Sequence, residues 1–475
     1  MKITALGVVT CDRTPALRMC LESYAANSRD HDRDPAFIVV DDSRDSETQE
    51  RNRRAAADVA ERFGVAVRYA GRREKTRFAA ALAAECGVPV EVVRFALMGD
   101  DRCSDSIGAN RNSLLLDTVD SLAVSVDDDT SCRIAPSLGF EDGAALCTSY
   151  DPTDFFFFHD RETAIGAATF GDADFLALHE TLLGSAAGQG RVVLTMPGLV
   201  GDSGMGSVRH YFALTGASHD RLTASEEVYR SALRSRAVLR AVQRPTICAG
   251  SFFMSTAFGF DNRSLLPPFC PVQRNADGVF GLTLQQCMSG SHIGYLPWAL
   301  LHAPPDRRDA SPDALWSDAD GIRMADIVIA GILATGMTAE SDAARLTPLG
   351  ERLRAIGSLA PREFDAFVRS MQQHRIAAFT AIVSSRLHAA ASPPPYWAAD
   401  AERLIERLTS AAAGEHYTVP RDLRDRYDID AARALSQELV LKFGDLLSAW
   451  PDIVAASGRL RSRREGLARD VVAAR

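Results

Sequence analysis

Leu122-Ala-Val-Ser-Val-Asp-Asp-Asp129 is the stretch on which the fold of this chain turns. A short run of apolar and small residues meets three consecutive carboxylates with no spacer between them. A run without polar alternation reads as a strand buried on both faces, the pattern of a parallel sheet covered by helices. In an open α/β sheet, ligands bind beyond the carboxyl ends of the strands, which is where the triplet falls. Carboxylates there suit a hard divalent cation, which in turn holds phosphates. If the extended backbone persists, Asp127 and Asp129 share one face and Asp128 takes the other. The plain alternative is a solvated acidic turn.

Working outward, short apolar runs at residues 3–10, 37–40 and 65–69 predict further strands. Helical patterns at 15–26, 47–63, 77–86 and 106–121 alternate with them. This alternation predicts a parallel sheet with helices on both faces. Further on, 155–158 reads as either a strand or a helix segment, and 191–195, 247–254 and 293–296 are strand-like. Residues 306–319, rich in Pro, Asp and Arg, read as a linker between a first domain, 1–305, and a second, 320–475. Helical periodicity dominates the second domain and is interrupted near 392–395.

Two other segments carry candidate chemistry. Phe37-Ile-Val-Val-Asp-Asp-Ser43 is again an apolar strand ending in carboxylates, and Asp42 is placed to accept a hydrogen bond from a base or ribose. An Asx turn or helix cap explains the same residues. Gly108-Ala-Asn-Arg-Asn-Ser113 opens the helix before the acidic strand, and Arg111 is a candidate to neutralise a phosphate or to orient a carboxylate. Gly198-Leu-Val-Gly-Asp-Ser-Gly-Met-Gly206 has four glycines and reads as a flexible loop or a turn-rich connection. It fits neither a dinucleotide fingerprint nor a phosphate loop of the Gly-x-x-x-x-Gly-Lys kind.

In this order the segments resemble the GT-A glycosyltransferases of the large family-two type. Val9-Thr10-Cys11-Asp12-Arg13, with Cys20-Leu21-Glu22-Ser23, is similar to that family's first strand and helix. Val39 to Ser43 resembles its nucleotide-binding strand end, Gly108 to Asn112 its Gly-x-x-Arg-Asn segment, and Asp127-Asp128-Asp129 its DxD motif. Gly250-Ser-Phe-Phe-Met254 and Phe258-Gly-Phe-Asp261 resemble its acceptor-side strand and turn, and Ala276-Asp277 stands where the family often has Glu-Asp. The likeness covers residues 3–305; none of it extends over 320–475.

The resemblance implies a GT-A (Rossmann-like) mixed, mostly parallel sheet flanked by helices, followed here by a C-terminal all-helical domain for acceptor, oligomer or partner docking. It implies a metal-dependent, inverting transfer of a hexosyl group from a nucleotide-sugar, UDP-sugar by family habit, to an acceptor hydroxyl. Asp127, Asp129 and His302 would hold Mn²⁺ or Mg²⁺. Thr10, Asp12, Asp42, Arg111 and Asp128 would contact the donor, and Asp277 would act as the base. The acceptor, whether glycan, lipid-linked, peptide or small molecule, is open. The competing readings are a nucleotidyltransferase and a non-catalytic sugar-binding scaffold on the same fold.

A net charge of −9 argues against a broad nucleic-acid surface. No apolar run approaches the roughly 20 residues of a membrane helix. Nine scattered cysteines without CxxC pairs and no basic leader before residue 3 predict a cytoplasmic protein with reduced thiols. The tail from 459 to 475, with six Arg, is a candidate for peripheral contact with anionic lipid; a solvated terminal helix is the alternative.

Overall fold

The computed structural model describes residues 2–188, 190–304, 312–319, 321–334, 342–389, 393–411 and 418–471. Its centre is one mixed sheet of fourteen strands. In chain order they are β1 (Ala5–Thr10), β2 (Ala36–Asp41), β3 (Val67–Ala70), β4 (Leu122–Asp127), β5 (Thr130–Pro136), β6 (Ala145–Cys147) and β7 (Asp154–Phe157). Then follow β8 (Ala186–Ala187), β9 (Gly190–Asp202), β10 (Ala237–Ala241), β11 (Thr246–Cys248), β12 (Ala257–Asp261), β13 (Ser291–His302) and β14 (Arg469–Asp470). The main path runs β14-β3-β2-β1-β4-β12-β9-β13-β11-β6.

The four strands β3, β2, β1 and β4 pair parallel, as their unbroken apolar runs predict. Beyond β4 the sheet becomes mixed. β12 runs antiparallel to both β4 and β9, which makes β9 parallel to β4, and β13 pairs parallel with β9. The carboxyl ends of β1, β4, β9 and β13 therefore lie along one edge. Thr10, Asp127, Asp202 and His302 arrive together from four remote parts of the sequence.

Several elements differ from the sequence expectation. The segment 247–254 is a strand only over Thr246–Cys248. Gly198 and Gly201 lie within β9, not in a loop. A Cβ at Gly198 would come within 2.1 Å of the Arg240 carbonyl oxygen, and one at Gly201 within 2.2 Å of that of His302. These glycines let neighbouring backbones approach. The block 155–158 resolves as a strand, β7 over Asp154–Phe157. Within the span read as a linker, Pro312–Ser317 is a short helix with Leu315 and Trp316 buried; the rest of that span through residue 311 lies outside the described residues.

Beyond residue 320 the described chain is helical except for β14, and it packs directly onto the sheet layer. The helices Asp342–Gly357 and Ile429–Ser462 cross closely: a Cβ at Gly350 would meet the Gly444 carbonyl oxygen at 2.6 Å. Trp450 donates to the Leu266 carbonyl at 2.7 Å and Ser457 to that of Leu116 at 2.6 Å, so the long helix is stitched to the α/β layer. The arginine-rich tail is used in the same way. Arg459 and Arg463 pair with Glu85, at 2.6 and 2.5 Å, and Arg461 donates to Ser121 and to the Val119 carbonyl. These side chains pair with groups of the protein itself. No described helix is long and apolar enough to cross a membrane. All nine cysteines are free thiols, five of them buried.

Asp117 clasps the end of the described chain. Its buried carboxylate accepts from the backbone N–H of Leu467 (3.0 Å) and Ala468 (3.1 Å) and pairs with Arg68 (3.0 Å), so that β14 can add to the edge of β3. Asp117→Ala leaves two buried N–H groups and an arginine without their acceptor. The expected cost is about 2–4 kcal/mol, read as a lower thermal midpoint, with faster exchange of amides in residues 462–471. An unchanged midpoint and unchanged exchange there would show that the clasp contributes nothing.

Candidate functional site

The edge where β1, β4, β9 and β13 end forms the candidate site. β4 stops at Asp127, and Asp128 and Asp129 make a two-residue turn before β5 leaves to pair with β13. The extended alternation assumed for the triplet ends there. Asp127 faces Arg111, whereas Asp128 and Asp129 both reach Arg13. The turn is braced from behind: Thr130 donates to the Asp127 carbonyl at 2.7 Å, and the Tyr24 hydroxyl lies 3.1 Å from the Thr130 hydroxyl.

Each carboxylate has distinct partners. Asp127 accepts from Arg111 Nη2 at 2.6 Å. Asp128 accepts from the Thr10 hydroxyl at 2.7 Å and pairs with Arg13 Nη1 at 3.2 Å. Asp129 pairs with the same Nη1 at 3.0 Å, and its other oxygen lies 3.4 Å from His302 Nε2. His302 Nδ1 lies 2.6 Å from the Asp202 carbonyl oxygen, which fixes the ring with Nε2 toward Asp129.

Burial and crowding shift the protonation of two of these acids and of the imidazole. Burial pushes Asp127 above the usual carboxylate range against the pull of Arg111. Burial, then the Asp129 charge, pushes Asp128 up to about 7. His302 moves upward: burial opposes its charge, but the hydrogen bond and charge of Asp129 outweigh it.

The helix Ile107–Asp117 props the site from within. Gly108 presses against the chain at Cys270, where a Cβ would come within 1.9 Å of the carbonyl oxygen. Asn110 donates to the Thr10 carbonyl at 3.1 Å and accepts from Lys75 at 2.5 Å. Arg111 is 2% exposed and also donates to the Ser255 carbonyl at 2.9 Å. Asn112 clamps the backbone of Phe269 from both sides, at 2.8 and 2.9 Å. Of the two roles open to Arg111 in the sequence, orienting a carboxylate is the one this geometry displays.

Asp42 is buried and fully engaged. It accepts from Lys75 (3.1 Å) and from Ser106, and Arg72 lies at 3.6 Å. Lys75 is completely buried. Asp12 sits at the mouth with its backbone in the left-handed region (φ 57°), and its N–H donates to Ser43 at 2.8 Å. Arg13, Lys75 and Asn110 were given no role on sequence grounds.

Asp277 lies half-buried in the first turn of the helix Ala276–Cys287. That helix is held by Phe280 stacked on Phe269 at 4.0 Å and by Gly281, where a Cβ would meet the Ser251 carbonyl oxygen at 2.3 Å. Its carboxylate is near enough for its charge to act on Asp127 and on Tyr150, an exposed ring set edge-on against Phe252 at 5.4 Å. Beside His302 a small cleft opens, lined among others by Thr153, Arg240, Met254 and Leu300.

The edge thus gathers Thr10, Asp127, Asp128, Asp129, Arg111 and His302, with Asp277 near enough for its charge to act on Asp127 and Asp42 set behind through Lys75 and Asn110. As a donor set for a cation, Asp129 and His302 present an oxygen and a nitrogen 3.4 Å apart, a spacing two ligands of one ion can share. Among the described residues, no group of three or more His, Cys, Asp or Glu converges as an ion site by itself. Asp129 and His302 alone would leave most of an ion's shell to other ligands. No protein-family model matches the chain, and no curated protein resembles it significantly.

Proposed function

We propose that the protein is a glycosyltransferase of GT-A type that uses a nucleotide-sugar and a divalent cation, with transfer and inversion at the edge formed by β1, β4, β9 and β13. The observation that carries this is the meeting of Asp129, in the turn after β4, with His302 at the end of β13. Asp129 and His302 would hold the cation, Mn²⁺ or Mg²⁺. When bound, it would offset the charge that builds on the leaving nucleoside diphosphate. Thr10 holds Asp128 toward the donor side. Arg111 keeps Asp127 oriented. Asp277 would accept the proton of the acceptor hydroxyl as that oxygen attacks the anomeric carbon. Attack from the face opposite the leaving group would invert the configuration.

A second reading, a non-catalytic sugar-binding protein, gains from one observation: all three carboxylates already have cationic or imidazole partners within the chain. Turnover separates the two. A panel of UDP- and GDP-sugars is incubated with and without Mn²⁺, using wild type and Asp129→Ala. The expected result is slow Mn²⁺-dependent release of nucleoside diphosphate from one donor, lost in the variant. Donor binding without release, even with a range of hydroxyl acceptors added, would favour the binding protein.

A further inference from the structure

We infer that Arg13 competes with the cation for Asp129 in the absence of donor, holding the carboxylate oxygen next to the seat that faces His302, and that it is a diphosphate-binding residue which moves from the carboxylates to the donor when the cation arrives. The inference rests on the proposed cation site.

The guanidinium of Arg13 lies between Asp128 Oδ1 (3.2 Å) and Asp129 Oδ2 (3.0 Å). Both contacts use one nitrogen, Nη1, and not the two-pronged fork that makes an arginine–carboxylate pair strong. A single positive point between two carboxylate oxygens offsets their charge much as a neighbouring metal ion would. A cation bound by Asp129 Oδ1 and His302 would bring two charges to the carboxylate whose other oxygen Arg13 holds, and would repel the guanidinium from it.

The two arginines at the triplet differ in freedom. Arg111 is 2% exposed, is tied to the Ser255 carbonyl, and lies over the Phe269 ring at 5.8 Å. The Arg13 side chain is 38% exposed. Its backbone, by contrast, is fixed. Asp12 N–H is held by Ser43, the Leu17 N–H donates to the Arg13 carbonyl at 3.0 Å, and Thr14 starts the first helix. A fixed stem with a partly solvated head can swing while the fold stays intact. Displaced from the acids, the head remains at the mouth where a donor diphosphate would sit, and guanidinium–phosphate pairing is the contact for which it is best shaped.

The test is Mn²⁺ binding by the full chain, followed by electron paramagnetic resonance of free Mn²⁺, with and without UDP. The proteins are wild type, Arg13→Ala, Arg13→Lys and Asp129→Asn. Without nucleotide, Arg13→Ala is expected to bind Mn²⁺ at least about tenfold more tightly than wild type, because a competing charge has left a partly buried site. With UDP the order reverses: Arg13→Ala loses a charge-assisted contact and binds the Mn²⁺–UDP pair about tenfold more weakly than wild type. Arg13→Lys falls between. Equal Mn²⁺ affinity of wild type and Arg13→Ala without nucleotide, both abolished by Asp129→Asn, would overturn the role of Arg13 and leave the cation site standing. Absence of Mn²⁺ binding in wild type and Arg13→Ala, with UDP present, would overturn the cation site and this inference with it.

Discussion

Asp277→Asn is expected to stop transfer while leaving donor binding intact. An amide cannot take up the acceptor's proton, and loss of a positioned base lowers turnover by about 10²–10⁴-fold. The fold should tolerate the change. The carboxylate is half-buried, and its described hydrogen bond is to the N–H of the next residue, Gly278, at 3.0 Å. An asparagine oxygen can accept that bond, and the lost helix-terminus interaction is worth about 0.3–1 kcal/mol. Turnover measured beside donor titration by calorimetry gives the answer. A large loss of turnover with unchanged donor affinity supports the base. Turnover within twofold of wild type would move the search for the base to another group at the mouth. Loss of donor affinity would place Asp277 on the donor side.

Those parts of the fold were legible in sequence where one physical signal dominated. Strands β1, β2 and β4 are buried on both faces, so their apolar runs are unbroken, and the helices Thr14–Asp30 and Ser46–Phe63 that follow β1 and β2 each bury one stripe. β14 has two residues and no period to read; it exists because Asp117, some 350 positions earlier, captures the backbone before it. The glycines of 198–206 carry the same letters whether they bend a loop or let strands close up, and only the packed neighbours decide.

The site shows the same division. Asp127, Asp128 and Asp129 were legible as candidates because strand ends are where an α/β sheet exposes chemistry, whereas Thr10 and His302 were legible only through the family resemblance. Arg13 was not, since its partners lie 115 and 116 residues away. Lys75 did leave a signal. The chain writes almost every basic residue as Arg and keeps Lys at only three places, 2, 75 and 442. A compact ammonium fits where a planar guanidinium does not. Lys75 lies wholly buried between Asp42 and Asn110, and Lys442 bridges Asp100 and Glu438 at 2.8 and 2.9 Å.

Lys75→Met should be among the most damaging single changes at this edge. It removes the ammonium from a completely buried place and strands the Asp42 carboxylate, itself 3% exposed. Removing one member of a buried pair costs about 3–5 kcal/mol, far more than the pair contributes when intact. Arg72, at 3.6 Å, takes up part of the charge, which sets the lower end of that range. Lys75→Arg should not rescue, because the larger planar head must enter a cavity with no room. Lys75→Met combined with Asp42→Asn should recover part of the loss, since no unpaired charge remains. Thermal melts of the two singles and the double test this; a double as unstable as the sum of the singles would show that packing, not charge, fails. The damage should also reach the donor. Lys75 holds Asn110, Asn110 holds the Thr10 carbonyl, and Thr10 holds Asp128. Loosening the first link is therefore expected to weaken donor binding even at a temperature where the variant is folded. For the same reason, lost donor binding in Asp42→Ala would identify a base or ribose contact only if the variant is shown to be folded, with Lys75 otherwise accommodated.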